Sequence, residues 1–293
     1  MRLNNRQKTL FWIALFLVPS VMLYLLIYAY PIAAITVTSF CEWTSTKSLK
    51  FIGLDNYKYL LAKDNPMWIA LRNTSIWMVL QCTIHVGLGI LVAFVLAKKP
   101  FGWKVARSVY VIPNIISPVA LGVLYLNMFN PQIGIINGII RGIGFKNFNV
   151  NWFAQPETAF IGVTLTWLVY AALMSLIVSA EIASIPDSIL EAAEIDGASS
   201  FQKDRFIILP MLKNVVGTCM ILAATSMITS FDTIFITTRG GPNNATLNIG
   251  LYLYKIASLE NNYALANTIG VVQLVFGLVV IFIVQRLFSM NKS

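Results

Sequence analysis

Glu191-Ala192-Ala193-Glu194-Ile195-Asp196-Gly197, continuing through Ala198-Ser199-Ser200-Phe201-Gln202-Lys203-Asp204-Arg205-Phe206 to Ile207-Ile208-Leu209-Pro210, is a polar, acid-rich stretch between two long apolar segments. Its surroundings give it meaning. Hydrophobic residues make up 57% of the chain and charged residues 11%, with a mean hydropathy of +0.73, which excludes an ordinary soluble domain. The apolar residues fall into six runs: Leu10 to Tyr28, Thr74 to Ala97, Ser108 to Phe129, Thr158 to Ala180, Val215 to Thr238 and Ala264 to Gln285. Each is near the roughly 20 residues that a helix needs to cross a bilayer. Because hydrocarbon offers the backbone no hydrogen-bond partner, the expected fold is an all-α integral membrane protein with six transmembrane helices. An even number places both termini on one side.

The basic residues orient it. Arg2, Arg6 and Lys8 precede the first run, and Lys98, Lys99, Lys104 and Arg107 crowd the loop after the second, so both belong in the cytoplasm together with the polar stretch. The segment Cys41 to Arg72 carries five basic residues, diluted by three acidic ones over a greater length, and falls outside. The net charge of +9 is therefore a topology signal. A nucleic-acid partner is not expected, since the basic residues lie on both faces. Leu10 to Tyr28 leads into no small-residue cleavage site, so it reads as an insertion signal that stays attached, bent or extended by Pro19 and Pro31. The expected organisation is an N-terminal helix and outer amphipathic segment at 1–73, a five-helix core at 74–288 with a cytoplasmic loop at 181–214, and a cytoplasmic tail at 289–293. Cys41, Cys82 and Cys219 imply neither a disulfide framework nor a metal site.

Between the runs, Phe51 to Leu61 reads as a turn and a short interfacial helix, and Asn130 to Glu157 as loop. Gly138 and Gly142 are placed there as flexible positions. In the polar stretch, Ser184-Ile185-Pro186-Asp187-Ser188 carries helix-start signals, with a capping-box spacing from Ser188 to Glu191. Gly197 is suited to stop that helix in a left-handed conformation. A second helix restarts at Ser199, where Gln202 repeats the capping-box spacing, and Pro210 leads into the fifth span. The bland alternative is a solvated loop with chance capping residues.

Glu191-Ala192-Ala193, then Gly197, Ile207 and Leu209-Pro210, reproduce without a gap the spacing of the coupling motif of binding-protein-dependent ABC importer permeases, which the chain resembles over nearly its whole length. Further matches are Phe51-Ile52-Gly53-Leu54 with Asn56-Tyr57, Asn73-Thr74, Pro113 with Ser117, and Phe129-Asn130-Pro131. Thr238-Arg239-Gly240-Gly241-Pro242 with Thr246 and Tyr252-Leu253-Tyr254 is similar to the first permease of the maltose, multiple-sugar and glycerol-phosphate type. The resemblance implies the type I importer architecture in a bacterial cytoplasmic membrane, with a coupling helix between helices 4 and 5. Its implied partners are a second homologous permease, an ATP-binding subunit dimer and an extracytoplasmic solute-binding protein. Glu191, Ala192, Ala193, Glu194, Asp196, Gly197, Ile207, Leu209 and Pro210 would couple to an ATPase. The acids offer charge-assisted contacts to it. ATP and Mg would be used by that partner, because this chain has no phosphate-binding Gly-rich loop and binds no cofactor of its own.

Polar residues inside membrane helices tend to face a cavity or the bundle interior. The pathway candidates are Thr225, Ser226, Met227, Thr229, Ser230 and Thr233 in the fifth run, and Trp167 and Tyr170 in the fourth as platforms for sugar rings. Asp232, Gly240, Gly241 and Pro242 read as outer gate or packing, and His85 as an interhelical hydrogen-bonding residue. A secondary transporter would need coupling carboxylates or broken helices in matching halves, and a membrane enzyme a convergent catalytic set. Neither is legible. With no Lys or Arg in the central part of a predicted span, a neutral carbohydrate is favoured over glycerol phosphate as cargo.

Overall fold

The computed structural model describes residues 5–288, so Arg2 and the tail at 289–293 lie outside them, as do the side chains of Arg6 and Lys8. Among the described residues four helices are long and apolar enough to cross a membrane, Leu15–Thr38, Met67–Ala97, Lys213–Thr237 and Tyr263–Phe288, and two further apolar helix pairs are sharply bent, Trp103–Ile115 with Pro118–Met128 and Ala172–Ile182 with Asp187–Ile195. The all-α membrane expectation stands, with four unbroken spans and the remainder of the six predicted runs broken. The chain divides into two compact units, residues 1–62 with 253–272, and residues 63–252 with 273–293.

In the first unit the N-terminal helix runs ten residues past the predicted end at Tyr28, to Thr38. Pro31 does not stop it. A π-type turn at Leu25–Ala29 lies immediately upstream and widens the helix where the proline ring would press on the carbonyl four residues back. The described side chains from Trp12 to Tyr28 are exposed and mostly apolar, the composition of a helix facing lipid. After it, Cys41–Glu42 pairs antiparallel with Lys50–Phe51, and the predicted short helix forms at Asp55–Leu61. Asn56 ties that helix back by donating to Ser39 O at 2.9 Å and Cys41 O at 2.7 Å.

The second unit is built around Met67–Ala97, a helix of 31 residues. It meets Ala172–Ile182 at Gly89, where an added Cβ would lie 2.5 Å from Met174 Cβ. Only a residue without a side chain permits that approach, as in other small-residue contacts between membrane helices. Val86, Ala93, Val178, Leu212, Cys219 and Ala223 extend the same core. Higher up, Trp77 is 1% exposed, stacks on Phe160 with ring centroids 4.7 Å apart, and donates its indole N–H to Thr164 Oγ1 at 2.8 Å.

Three expectations are corrected in this unit. The third predicted span is bent by 104° between Trp103–Ile115 and Pro118–Met128. The cause is local, because Pro118 disfavours helical backbone at the residue before it, and Ile116 and Ser117 take extended ψ values of 136°. The fourth span is two helices, Pro156–Leu165 and Ala172–Ile182, separated by residues 166–171. The outer segment predicted as loop contains the helix Ile135–Gly142. Buried Asn137 secures it, donating to Val150 O at 2.9 Å and accepting from the Trp152 indole at 2.7 Å. Gly138 and Gly142 make no packing face, since a Cβ at either would meet nothing within 4 Å.

Candidate functional site

The acid-rich stretch folds as a helix, a glycine turn and a second helix. Asp187–Ile195 is the first. It starts one residue ahead of the expected capping box, with Pro186 at the N-cap and no side-chain cap, so the Ser188 to Glu191 box does not form. Asp187 in the first turn complements the exposed N–H groups there instead. At the other end Gly197 adopts φ +78°. Its N–H donates to Glu194 O at 3.0 Å, and that of Ala198 to Ala193 O at 2.9 Å, the paired bonds of a Schellman cap. The second helix opens with the Ser199 and Gln202 capping box that the spacing predicts. It continues through a π-type turn at Asp204–Ile208 into Leu209–Met211, which includes Pro210.

This stub is exposed at its tip and anchored at its root. Glu191, Ala192, Glu194, Asp196 and Gly197 are exposed, as are Ile195 at 87% and Phe201 at 74%. Ile185 and Ile208 enter the core beside Leu212 and Val178. Ile208, rather than the motif residues Ile207 and Leu209, is the buried anchor, and Ala193 is buried as well. Glu194 pairs with Lys203 within the stub, which leaves Glu191 and Asp196 as carboxylates of the tip without an ion pair among the described residues. Lys98 Nζ lies 2.8 Å from Asp204 Oδ2 and ties the basic loop to the second helix.

The fifth span consists of Lys213–Ile228 and Asp232–Thr237. Leu222, Ser226, Thr229 and Asp232 are exposed along one side, whereas Met227 is 6% exposed and packs inward with Ala223, Ala224 and Ile228. Thr225 donates to Ile221 O, Ser226 to Ala223 O, and Thr229 to Thr225 O. Ser230 O accepts from the buried Asn248 amide, and Thr233 O from Thr237. Tyr170 is not brought to this side. It lines a groove with Tyr110 and Pro113 and donates to Val111 O at 3.3 Å.

Trp167 sits in the break at residues 166–171, which His85 holds. His85 Nδ1 lies 3.1 Å from Trp167 O and 3.2 Å from Leu168 O, and since carbonyls only accept, Nδ1 carries the proton. The Ala171 N–H donates to the Tyr110 hydroxyl at 2.9 Å. His85→Leu leaves the two carbonyls without this donor, at a cost of about 1–3 kcal/mol. Thermal unfolding of the purified chain in detergent is expected to shift down for Leu and less for His85→Gln, which keeps an N–H donor. Equal shifts would mean that the ring acts only by filling space.

The Gly-Gly-Pro segment is a locked loop. Gly240 is buried at φ +83°, and the Gly241-Pro242 peptide is cis. Thr246 donates to Gly241 O at 3.1 Å and lies 2.7 Å from the Thr238 hydroxyl. Asn73 donates to Ala245 O and Leu247 O at 3.0 and 2.9 Å, and Thr74 Oγ1 accepts from Ile249 N–H. Asn73, Thr74 and Thr246 thus converge on one loop from positions up to about 170 residues apart. Asn248 is a lock that sequence reasoning did not single out; a polar residue amid Leu247, Ile249 and Leu251 was the available signal.

Broken apolar helices, an exposed stub and a helix side carrying exposed polar residues define a multi-pass membrane protein. Residues 85–290 match the family model of the binding-protein-dependent transport system inner membrane component, and the chain belongs to that family. It is 30% identical over 280 residues to the Probable ABC transporter permease protein PH1215 of Pyrococcus horikoshii, covering 94% of this chain and 95% of that one. It is 30% identical over 268 residues to the multiple sugar-binding transport system permease protein MsmF of Streptococcus mutans, covering 89% and 90%. The fold matches a chain of a bacterial ABC transporter involved in import of the acidic polysaccharide alginate, with a TM-score of 0.83 at 20% identity, covering 98% of each. That transporter is also known in complex with an alginate pentasaccharide-bound periplasmic protein.

Proposed function

We propose that the chain is the first of two permeases in an ATP-driven carbohydrate importer of a bacterial cytoplasmic membrane, with both termini in the cytoplasm. It forms the pathway as a heterodimer with a related permease and receives solute from an extracytoplasmic binding protein. The stub from Asp187 to Met211 docks on one subunit of an ATPase dimer, which binds and hydrolyses ATP with Mg.

The exposed tip on a core-anchored root carries this reading. Glu191, Ala192, Ile195 and Phe201 offer a small, mixed acidic and apolar face, while Ile185 and Ile208 join it to the membrane helices. A push on the tip is transmitted as rigid-body movement, because packed cores switch between arrangements and do not deform continuously. The carbohydrate cargo is supported by a relative named for multiple sugars. Lys and Arg occur only toward the ends of the described spans, as with Arg72, Lys213 and Arg286, which favours a neutral oligosaccharide over an anionic solute.

Ligand screening of the cognate binding protein by thermal shift tests the cargo. Neutral oligosaccharides are expected to raise its midpoint and phosphorylated compounds to leave it unchanged. A response confined to glycerol phosphate or to acidic saccharides would remove the neutral-sugar reading.

A further inference from the structure

A cleft of about 460 Å³ opens at the root of the stub, lined by the end of Met67–Ala97, the helix Trp103–Val111 and the last turns of Ala172–Ile182. Two cations, Lys99 and Arg107, and one carboxylate, Asp187, line it. Neither cation has an ion-pair partner among the described residues. Their neighbours are engaged elsewhere, Lys98 with Asp204 and Lys104 over the Trp103 ring at 5.9 Å. Ser179 Oγ in the wall is buried and lacks a hydrogen-bond partner, which is costly unless something enters to satisfy it. Lys99 is held at φ +49°, a conformation that residues with a Cβ seldom adopt.

A second groove of about 310 Å³, lined by Leu91, Val92, Val95, Leu96, Ala106 and Tyr110 and almost wholly apolar, shares Leu96 with the cleft. Leu91 and Val95 are exposed there, on a helix long enough to span the bilayer. A cationic mouth beside an apolar slot, with Leu96 in the wall of both, has the polarity of a lipid with an anionic head. A free anion would use only the mouth.

We propose that this is a binding site for an anionic phospholipid in the leaflet on the side of the stub. The phosphate sits on Lys99 and Arg107, the Ser179 hydroxyl donates to it, and one acyl chain lies along Leu91 and Val95. Because Asp187 and Ile185 share the cleft, the lipid braces the root of the stub. The site depends on membrane embedding and not on the cargo.

The test uses the purified full chain, delipidated and incubated with equal amounts of phosphatidylglycerol and phosphatidylcholine of the same acyl chains, with retention read by native mass spectrometry. Phosphatidylglycerol is expected to be retained about tenfold over phosphatidylcholine. The K99Q/R107Q variant should lose the preference and K99R/R107K keep it; K99Q alone, at an exposed position, reads the same loss if the double variant fails to fold. Equal retention by the unmodified chain, or an unchanged preference in K99Q and K99Q/R107Q, would overturn the site. Displacement of the lipid by inorganic phosphate would make it an anion pocket and also overturn the proposal.

Discussion

Gly197→Pro is expected to abolish both co-purification with the ATPase subunits and solute uptake, while the membrane spans remain folded. Gly197 holds φ +78°, whereas proline is fixed near −65°. The substitution also deletes the N–H that closes the turn onto Glu194 O. The two stub helices would then leave the turn in different directions, at a local cost of about 3 kcal/mol or more. Gly197→Ala is the informative companion. A Cβ there would meet nothing within 4 Å, so alanine carries only the left-handed backbone penalty of about 1–2 kcal/mol and should retain part of the uptake. Glu191→Lys reverses charge at the tip without disturbing the cap and should impair association, and uptake with it, while the stub keeps its fold. If Gly197→Pro and Glu191→Lys both left association and uptake unchanged, docking through the stub would be wrong.

The second large effect lies far from the stub. Trp77→Ala is expected to cost about 3–5 kcal/mol, as for other buried aromatic truncations, because it empties the space against Phe160 and removes the donor to Thr164. Size-exclusion chromatography in detergent should show loss of the monodisperse chain. Trp77→Phe keeps the stack and loses only the hydrogen bond, about 1 kcal/mol, and should remain monodisperse. A similar loss for both would place the contribution in the indole N–H and not in packing.

Apolar composition announced the spans because a helix in hydrocarbon must be apolar along its whole length whatever its direction. For the same reason it was silent about their breaks. The bend before Pro118 had a visible cause in the proline, but the break at residues 166–171 contains neither glycine nor proline. His85 and Tyr110 hold it, 82 and 61 residues away, and no local pattern encodes partners so distant. The stub was legible at Gly197 and at Ser199 with Gln202, where backbone conformation and capping are decided within a few residues. It misled at Ser188 with Glu191, where Pro186 and Asp187 start the helix earlier. The helix Ile135–Gly142 was hidden by its glycines, and Asn137 and Arg141 compensate through bonds to the surrounding loop. In the fifth span, the polar residues could be found by eye. Which of them point outward depends on packing, which turned Met227 inward and Ser226 outward.

The hydroxyls of that outward side have a chemical consequence for the proposed route. Ser226 and Thr229 on that side, and half-buried Thr225 next to them, each direct their single proton at a carbonyl of their own helix, which leaves only oxygen lone pairs for a passing solute at these three positions. At these three positions the span accepts hydrogen bonds and gives none. It can greet each hydroxyl of a polyol in turn and match none of its acceptors, so it wets the route while gripping nothing firmly. Transit requires entry favourable enough to occur and hold weak enough to be released; a lining whose protons are already turned inward meets the second condition through its own backbone.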